Sequence, residues 1–316
     1  MHFVGLGGTD EVGASSYLYL LPEGNLLIDA GVRPGGVGEA ALPKLELLAD
    51  HPPRAMILTH AHLDHVAALP LVISRFKDLP VYCTAATAAL ARVVLADTLK
   101  VSREQGAQLF TDAMMKRALE RLRVVPYFQP VTEHGFWFQL LPAGHLLGAA
   151  GVLIESEGGR IFHTGDFSNV ATPTTDPVFM PDAETPVTAV VSEATYGDTL
   201  LPSRKEQVRA FVSAIGDTLR GGDKVLIPSF ALGRAQEIVS VLLGAMTSNL
   251  LPVAPIYLDG LVRSVTQEYE ALLNLLPQAM RNARQTSGLA PFCGPRCSSS
   301  RTQDTARRYW PRKSAR

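Results

Sequence analysis

An α/β fold is predicted by three features of the 316-residue sequence. Its first half alternates short apolar runs with glycine and proline. Two runs of helical length lie among them, and a second strand-and-helix pattern begins near Leu200. In chain order, strands are predicted at 16–21, 25–28, 55–58 and 81–83, then at 136–141, 151–155 and 160–163. Each is short, rich in β-branched, aromatic or other apolar side chains, and bounded by turn-forming residues, as a strand buried in a sheet requires. Runs 66–76 and 85–99 carry apolar residues at helical spacing. Strands with helices among them point to sheet layers covered by helices.

Beyond Leu200 the spacing predicts a helix at 204–219, a buried strand at 224–227, a helix at 233–243 and a strand at 256–258. After Pro277 the apolar period stops. From Gln278 to Arg316 eight arginines and Lys313 face one acid, Asp304, so this stretch carries +8 and the remainder −9 of the overall −1. With 47% hydrophobic and 19% charged residues, the chain has the material for a buried core. No run reaches the ~18 uninterrupted apolar residues of a membrane span. The opening MHFVGLGGTDEVG lacks a basic leader ahead of an apolar stretch. Three cysteines, an odd number, fit a reducing cytosol better than a disulfide scaffold. A membrane, fibrous or disulfide-stapled protein is excluded on these grounds, and a cytoplasmic globular one is expected.

The sharpest feature is Thr59-His60-Ala61-His62-Leu63-Asp64-His65, directly after the predicted strand 55–58. His60, His62, Asp64 and His65 place four potential ligands in six positions at a strand-to-helix junction. Neutral imidazole and carboxylate are the ligand set of zinc and similar divalent ions. Packing seldom calls for such a cluster, because its ionisable groups are costly to bury unpaired. Three other residues are weaker when taken singly. His145 lies on a loop between two apolar strands, where a histidine is ordinarily structural. Asp166 in IFHTGDFS and Asp29 in NLLIDAG each end a strand, where an aspartate ordinarily makes a turn.

As an ordered set, Asp29, His60-x-His62-x-Asp64-His65, His145 and Asp166 resemble the metallo-β-lactamase fold family. Past them, Val191-Ser192-Glu193-Ala194-Thr195-Tyr196-Gly197-Asp198 is similar to the acidic motif that opens the β-CASP subfamily. Residues 228–237 (PSFALGRAQE) and 255–260 (PIYLDG) are similar to stretches of its second domain. The resemblance covers about residues 1–276 and leads to bacterial and archaeal nucleases related to the cleavage and polyadenylation endonuclease, with ribonuclease J more distant. It implies an αββα sandwich at 1–199, a partial β-CASP α/β domain at 200–276, and an aberrant basic, disordered tail at 277–316.

By that resemblance His60, His62 and His145 hold a first metal, Asp64 and His65 a second, and Asp166 bridges them. Asp29 orients ligands without binding metal. Two such ions, zinc or manganese and ~3.5–4 Å apart, activate a shared water to attack a phosphodiester. The implied reaction is endonucleolytic or 5′-exonucleolytic hydrolysis of single-stranded RNA or DNA, as in RNA processing, and a homodimer is compatible with it. Glu193 partners, in the family, a histidine that protonates the leaving oxygen. None of the eight histidines lies beyond His163, so the two later histidines of the family are missing and weakened cleavage is expected. The tail reads as an out-of-frame or truncated end, with a phosphate-binding basic arm as its rival. Two other functions stay open: hydrolysis of a small thioester or lactone, since fold alone does not assign function, and an impaired remnant that binds metal and nucleic acid.

Smaller signals carry less. Gly5-Leu6-Gly7-Gly8-Thr9-Asp10 reads as a glycine-rich turn and not a dinucleotide site, because Asp10 stands where a third glycine is needed. Arg234 is a candidate nucleic-acid contact, as is Arg263, against a solvated helix face. Phe136 and Trp137 are candidates for base stacking, against core packing.

Overall fold

The computed structural model describes residues 1–133, 135–182 and 184–287, together with Phe292 and Cys297–Ser299; for 283–287 and 297–299 only the backbone is described. The chain divides into two compact units, Met1–Thr195 and Tyr196–Arg316.

The first unit is built on two sheets. Strands β1 (His2–Gly7), β2 (Ser16–Leu21), β3 (Gly24–Ile28), β4 (Pro53–Ile57), β5 (Val81–Cys83) and β6 (Leu122–Val124) lie side by side in that order. The first three pair antiparallel and the last four, starting with β3, pair parallel. The second sheet runs β11 (Ala189–Val191), β10 (Gly159–His163), β9 (Ala150–Ser156), β8 (Phe136–Pro142), β7 (Pro130–Glu133), antiparallel except for β10 with β11.

Period-two alternation sends one face of each sheet into a shared core. Tyr19, Leu26, Ile28, Ile57 and Tyr82 from the first sheet meet Phe136, Phe138, Leu140, Val152 and Ile154 from the second. Fully burying one such side chain stabilises the fold by ~1.5–3 kcal/mol. On the other face of the second sheet, Trp137 packs with Leu141, Leu153 and Phe162. Phe136 is buried in the inter-sheet core, and Trp137, partly buried, packs against this outer cluster.

The helices of this unit are α1 (Leu63–Val66), α2 (Leu69–Arg75), α3 (Ala85–Glu104) and α4 (Asp112–Glu120). Thr84 caps α3 by accepting the Thr87 amide, and Leu90, Ala91, Val94, Leu95 and Leu99 bury one face. The single helix expected at 66–76 is two. The Ala68 amide turns aside to the Ala30 carbonyl at 2.8 Å, and Pro70, with no N–H to give, starts a new helix in its first turn. Of the glycine-rich segment read as a turn, residues 5–7 end β1, with Gly5 and Gly7 pairing with β2 across a bulge, and residues 8–13 bend beyond it.

The second unit contains α5 (Arg204–Arg220), α6 (Arg234–Thr247), β12 (Ile256–Leu258), α7 (Leu261–Ala271), α8 (Gln278–Ser287) and β13 (Cys297–Ser299). Its core joins Ile215, Leu242, Ala245, Met246 and Leu251. The buried strand expected at 224–227 is not one. Val225 and Ile227 pack on that core, but Leu226 is 72% exposed and the segment belongs to none of the sheets among the described residues. Alternation alone cannot supply the neighbour that a strand needs. In the tail, α8 and β13, which pairs parallel with β12, are present. The expected disorder concerns residues that lie largely outside the described ones.

Candidate metal centre

Three strand ends deliver the ligand candidates. β4 leads through Leu58 and Thr59 to His60, and His62 stands at the N-cap of α1, whose first turn carries Asp64 and His65. His145 sits on the loop between β8 and β9. Asp166 follows β10 after Gly165, which holds φ +57°. Asp29 follows β3 at φ +59°, a left-handed conformation that aspartate tolerates better than most residues. Gly31 is dictated by a close approach: a Cβ there would overlap the carbonyl of Asp64.

The side chains converge. His62 Nδ1 lies 3.1 Å from His60 Nε2 and 3.1 Å from His145 Nε2. Asp166 Oδ2 stands 3.8 Å from His60 Nε2 and 3.6 Å from His145 Nε2, while its Oδ1 lies 3.3 Å from His65 Nε2. Asp64 Oδ2 is 4.0 Å from the same His65 nitrogen. One carboxylate thus turns one oxygen to His60 and His145, which cluster with His62, and the other to His65. Zinc–nitrogen bonds of about 2.0–2.1 Å in a tetrahedron set ligand atoms about 3.3–3.4 Å apart. The nitrogen separations here are close to that edge, so the donor set fits a divalent metal.

Beneath this cluster lies Asp29, fully buried. It accepts the Thr59 amide at 2.8 Å, the Thr59 hydroxyl at 2.6 Å and His65 Nδ1 at 2.7 Å. A hydroxyl has one proton, and a carboxylate without one can only accept. Thr59 therefore gives its proton to Asp29 and must accept from His60 Nδ1, 3.0 Å away. His60 is left with its lone pair on Nε2, the nitrogen that faces the cluster. Asp29 thus orients two histidines, one directly and one through Thr59. Thr59 was not among the expected site residues; its only signal is its place between the strand and His60.

Electrostatics sort the imidazoles. Burial, then the charges of His65, His62 and His145, pushes His60 well below the usual histidine range, and burial lowers His145 too. Neutral imidazole is the form that binds metal. Burial also opposes charge on His65 and pushes Asp29 upward, yet Asp29 and Asp166 on either side hold the His65 proton well above the ordinary value. We read that pair as ionised in the metal-free protein, because three donors converge on Asp29. Burial works to raise Asp166, but the hydrogen bond and charge of His65, then His145 and His62, hold it below the usual carboxylate range.

The remaining candidates differ. Glu193 accepts the amides of Phe167 at 3.3 Å and Thr195 at 3.1 Å, and its charge reaches His145. Arg234 is more than half exposed and pairs with Glu237 at 2.8 Å, an acid that it shares with Arg204 at 3.0 Å.

Residues 9–229 match the family described as the metallo-beta-lactamase superfamily. The chain is 33% identical over 280 residues to the "RNase J-like protein" of Methanocaldococcus jannaschii, covering 87% of this chain and 62% of that protein. It is 35% identical over 303 residues to "Ribonuclease TTHA0252" of Thermus thermophilus, covering 92% and 66%. To "Cleavage and polyadenylation specificity factor 73" of Drosophila melanogaster it is 31% identical over 292 residues, covering 91% and 42%. The chain therefore spans between about two fifths and two thirds of these relatives' lengths. With its donor residues clustered as this fold requires and its matches running through both units, the chain belongs to the metallo-β-lactamase superfamily, in the β-CASP branch.

Proposed function

We propose that this chain is a metal-dependent nuclease that hydrolyses phosphodiester bonds of single-stranded RNA, with DNA as a second substrate. The observation that carries the reading is Asp166, one oxygen of which faces His60 and His145, clustered with His62, and the other His65. His60, His62, His145 and Asp166 would hold one divalent ion; Asp166, Asp64 and His65 would hold another, with zinc the first choice and manganese an alternative at the oxygen-richer side. Such a pair of ions supplies a water acidic enough to attack at neutral pH and charge to neutralise the phosphate. The chain's own residues prepare the donors. Thr59 and Asp29 set the His60 lone pair toward the cluster, and Asp29 holds His65 so that Nε2 faces Asp166.

The printed names of relatives, ribonuclease and RNase J-like, support RNA as substrate. None of the eight histidines in these 316 residues lies beyond His163, so an assay of these residues alone measures cleavage without the later histidine that the family pairs with the glutamate at the position of Glu193. Loss of general acid catalysis typically costs ~10²–10⁴-fold, so slow turnover belongs to the proposal.

The test is cleavage of 5′-labelled RNA and DNA oligonucleotides with zinc or manganese, beside metal counting and an Asp64→Ala control. Slow, metal-dependent cutting that Asp64→Ala abolishes is expected. A purified chain that binds two ions and cuts neither polymer would refute the nuclease reading. Turnover of a thioester with indifference to oligonucleotides would replace it.

A further inference from the structure

We propose that Thr175 is a positioning residue of the metal centre, its hydroxyl holding the peptide between Gly144 and His145 so that the imidazole stays among the other donors. This rests on the metal-binding reading above and names a residue outside the ligand set.

Thr175 lies nine positions after Asp166 and is 7% exposed. Its Oγ1 donates to the Gly144 carbonyl at 2.9 Å and lies 2.9 Å from Thr172 Oγ1. A carbonyl only accepts, so the single Thr175 proton points to Gly144 and Thr172 donates into Thr175. Thr172 Oγ1 in turn accepts the amides of Thr174 at 3.1 Å and Thr175 at 3.0 Å. Backbone amides, two hydroxyls and a carbonyl thus form a chain with one direction. It ends on the peptide group whose nitrogen belongs to His145.

That peptide has little room to move. Gly144 holds φ +74°, and a Cβ there would come 2.5 Å from the Ser168 carbonyl and 2.8 Å from the Val178 amide. Ser168 donates its amide to the Ala143 carbonyl at 2.9 Å, and Gly144 forms an antiparallel bridge to Phe167, the residue after Asp166. The loops bearing His145 and Asp166 are therefore joined through their backbones, with Thr175 as the buried side chain of the joint. Without its hydroxyl, the Gly144 carbonyl loses a donor and the peptide gains freedom to rotate. His145 Nε2 then drifts from His62 and Asp166, which it now meets at 3.1 and 3.6 Å.

Thr175→Val keeps the volume and removes the hydroxyl, whereas Thr175→Ser keeps the hydroxyl. Each protein is titrated with zinc against a chromogenic chelator, and the visible spectrum of its cobalt(II) form is recorded. Thr175→Val is expected to bind zinc ~10–100-fold more weakly and to change the cobalt band, with Thr175→Ser near wild type. Thr172→Val, which leaves the Thr175 hydroxyl in place but removes its donor and the acceptor of the Thr174 and Thr175 amides, is expected to lose less. Zinc affinity of folded Thr175→Val within about twofold of wild type would overturn the inference. If Thr175→Val does not fold, an unchanged affinity in Thr172→Val overturns it. A wild-type chain that fails to bind zinc sinks the metal-binding reading and this inference together. Normal wild-type binding with indifferent variants sinks only this one.

Discussion

On one side of the metal centre, His60 and His65 are held by their rings: Thr59 and Asp29 bond the imidazole nitrogens themselves, and the anchor is a fully buried carboxylate. On the other side, the His145 loop is held by its backbone. Thr175 bonds the Gly144 carbonyl, Thr84 and Thr87 the Gly148 carbonyl, and Tyr127 the Ala149 carbonyl. All four donors there are neutral. Hydrogen bonds to charged groups contribute ~1.5–3 kcal/mol and neutral ones ~0.5–1.5 kcal/mol. The ring-held side thus concentrates its anchoring in one residue, while the backbone-held side spreads it over several.

The largest effect is therefore expected from Asp29→Asn. Asparagine tolerates the φ of +59° at that position, so the substitution removes the charge without straining the chain. Loss of one partner from a buried ion pair costs ~3–5 kcal/mol, to be read by urea unfolding of the metal-free protein. A loss under about 1 kcal/mol would erase the contrast between the two sides.

Acid separates the sides more gently. His163, buried with Nδ1 2.9 Å from the Tyr19 hydroxyl, is pushed down to about 3, by burial first and by the His65 charge next. Its folded value lies below the unfolded one, so its neutral form costs stability only as pH falls. The contribution is whole above about 6.5 and declines toward 3, by about 2 kcal/mol between pH 8 and pH 5. His65 has the opposite sign: raised in the fold, it stabilises fully below its unfolded value and loses that contribution as pH rises through its folded one. Stability of metal-free His163→Gln should fall less steeply in acid than wild type. Parallel curves would show that His163 does not titrate as its burial demands.

The smallest effect is expected on the backbone-held side. In Thr87→Val the Gly148 carbonyl keeps Thr84 as donor at 2.8 Å. The cost should stay at ~0.5–1.5 kcal/mol, read as a small drop in Tm. A loss as large as that of Asp29→Asn would show that anchoring there is concentrated after all.

What was legible in the sequence follows the same division. His60, His62, Asp64 and His65 stand out because one short turn carries them all. His145 and Asp166 gained meaning only from their order in the family pattern. Thr59 and Thr175 had no such signal, since threonine is common on strands and loops, and a donor to a distant carbonyl leaves no local period. Segment 224–227 failed in the reverse way: its residues suit a strand, but no neighbouring strand pairs with it among the described residues.

Local sequence alone determined where most strands and helices form, because period and turn residues act over a few positions. It also determined that a cluster of potential metal ligands follows β4. Only tertiary structure decided which oxygen of Asp166 faces which histidine, which nitrogen of His60 keeps its lone pair, and which hydroxyls lock the His145 loop. Those outcomes depend on groups 30 to more than 80 residues apart being brought within about 3 Å, and hydrogen bonds at that range are set by packing of the two sheets rather than by neighbours in the chain.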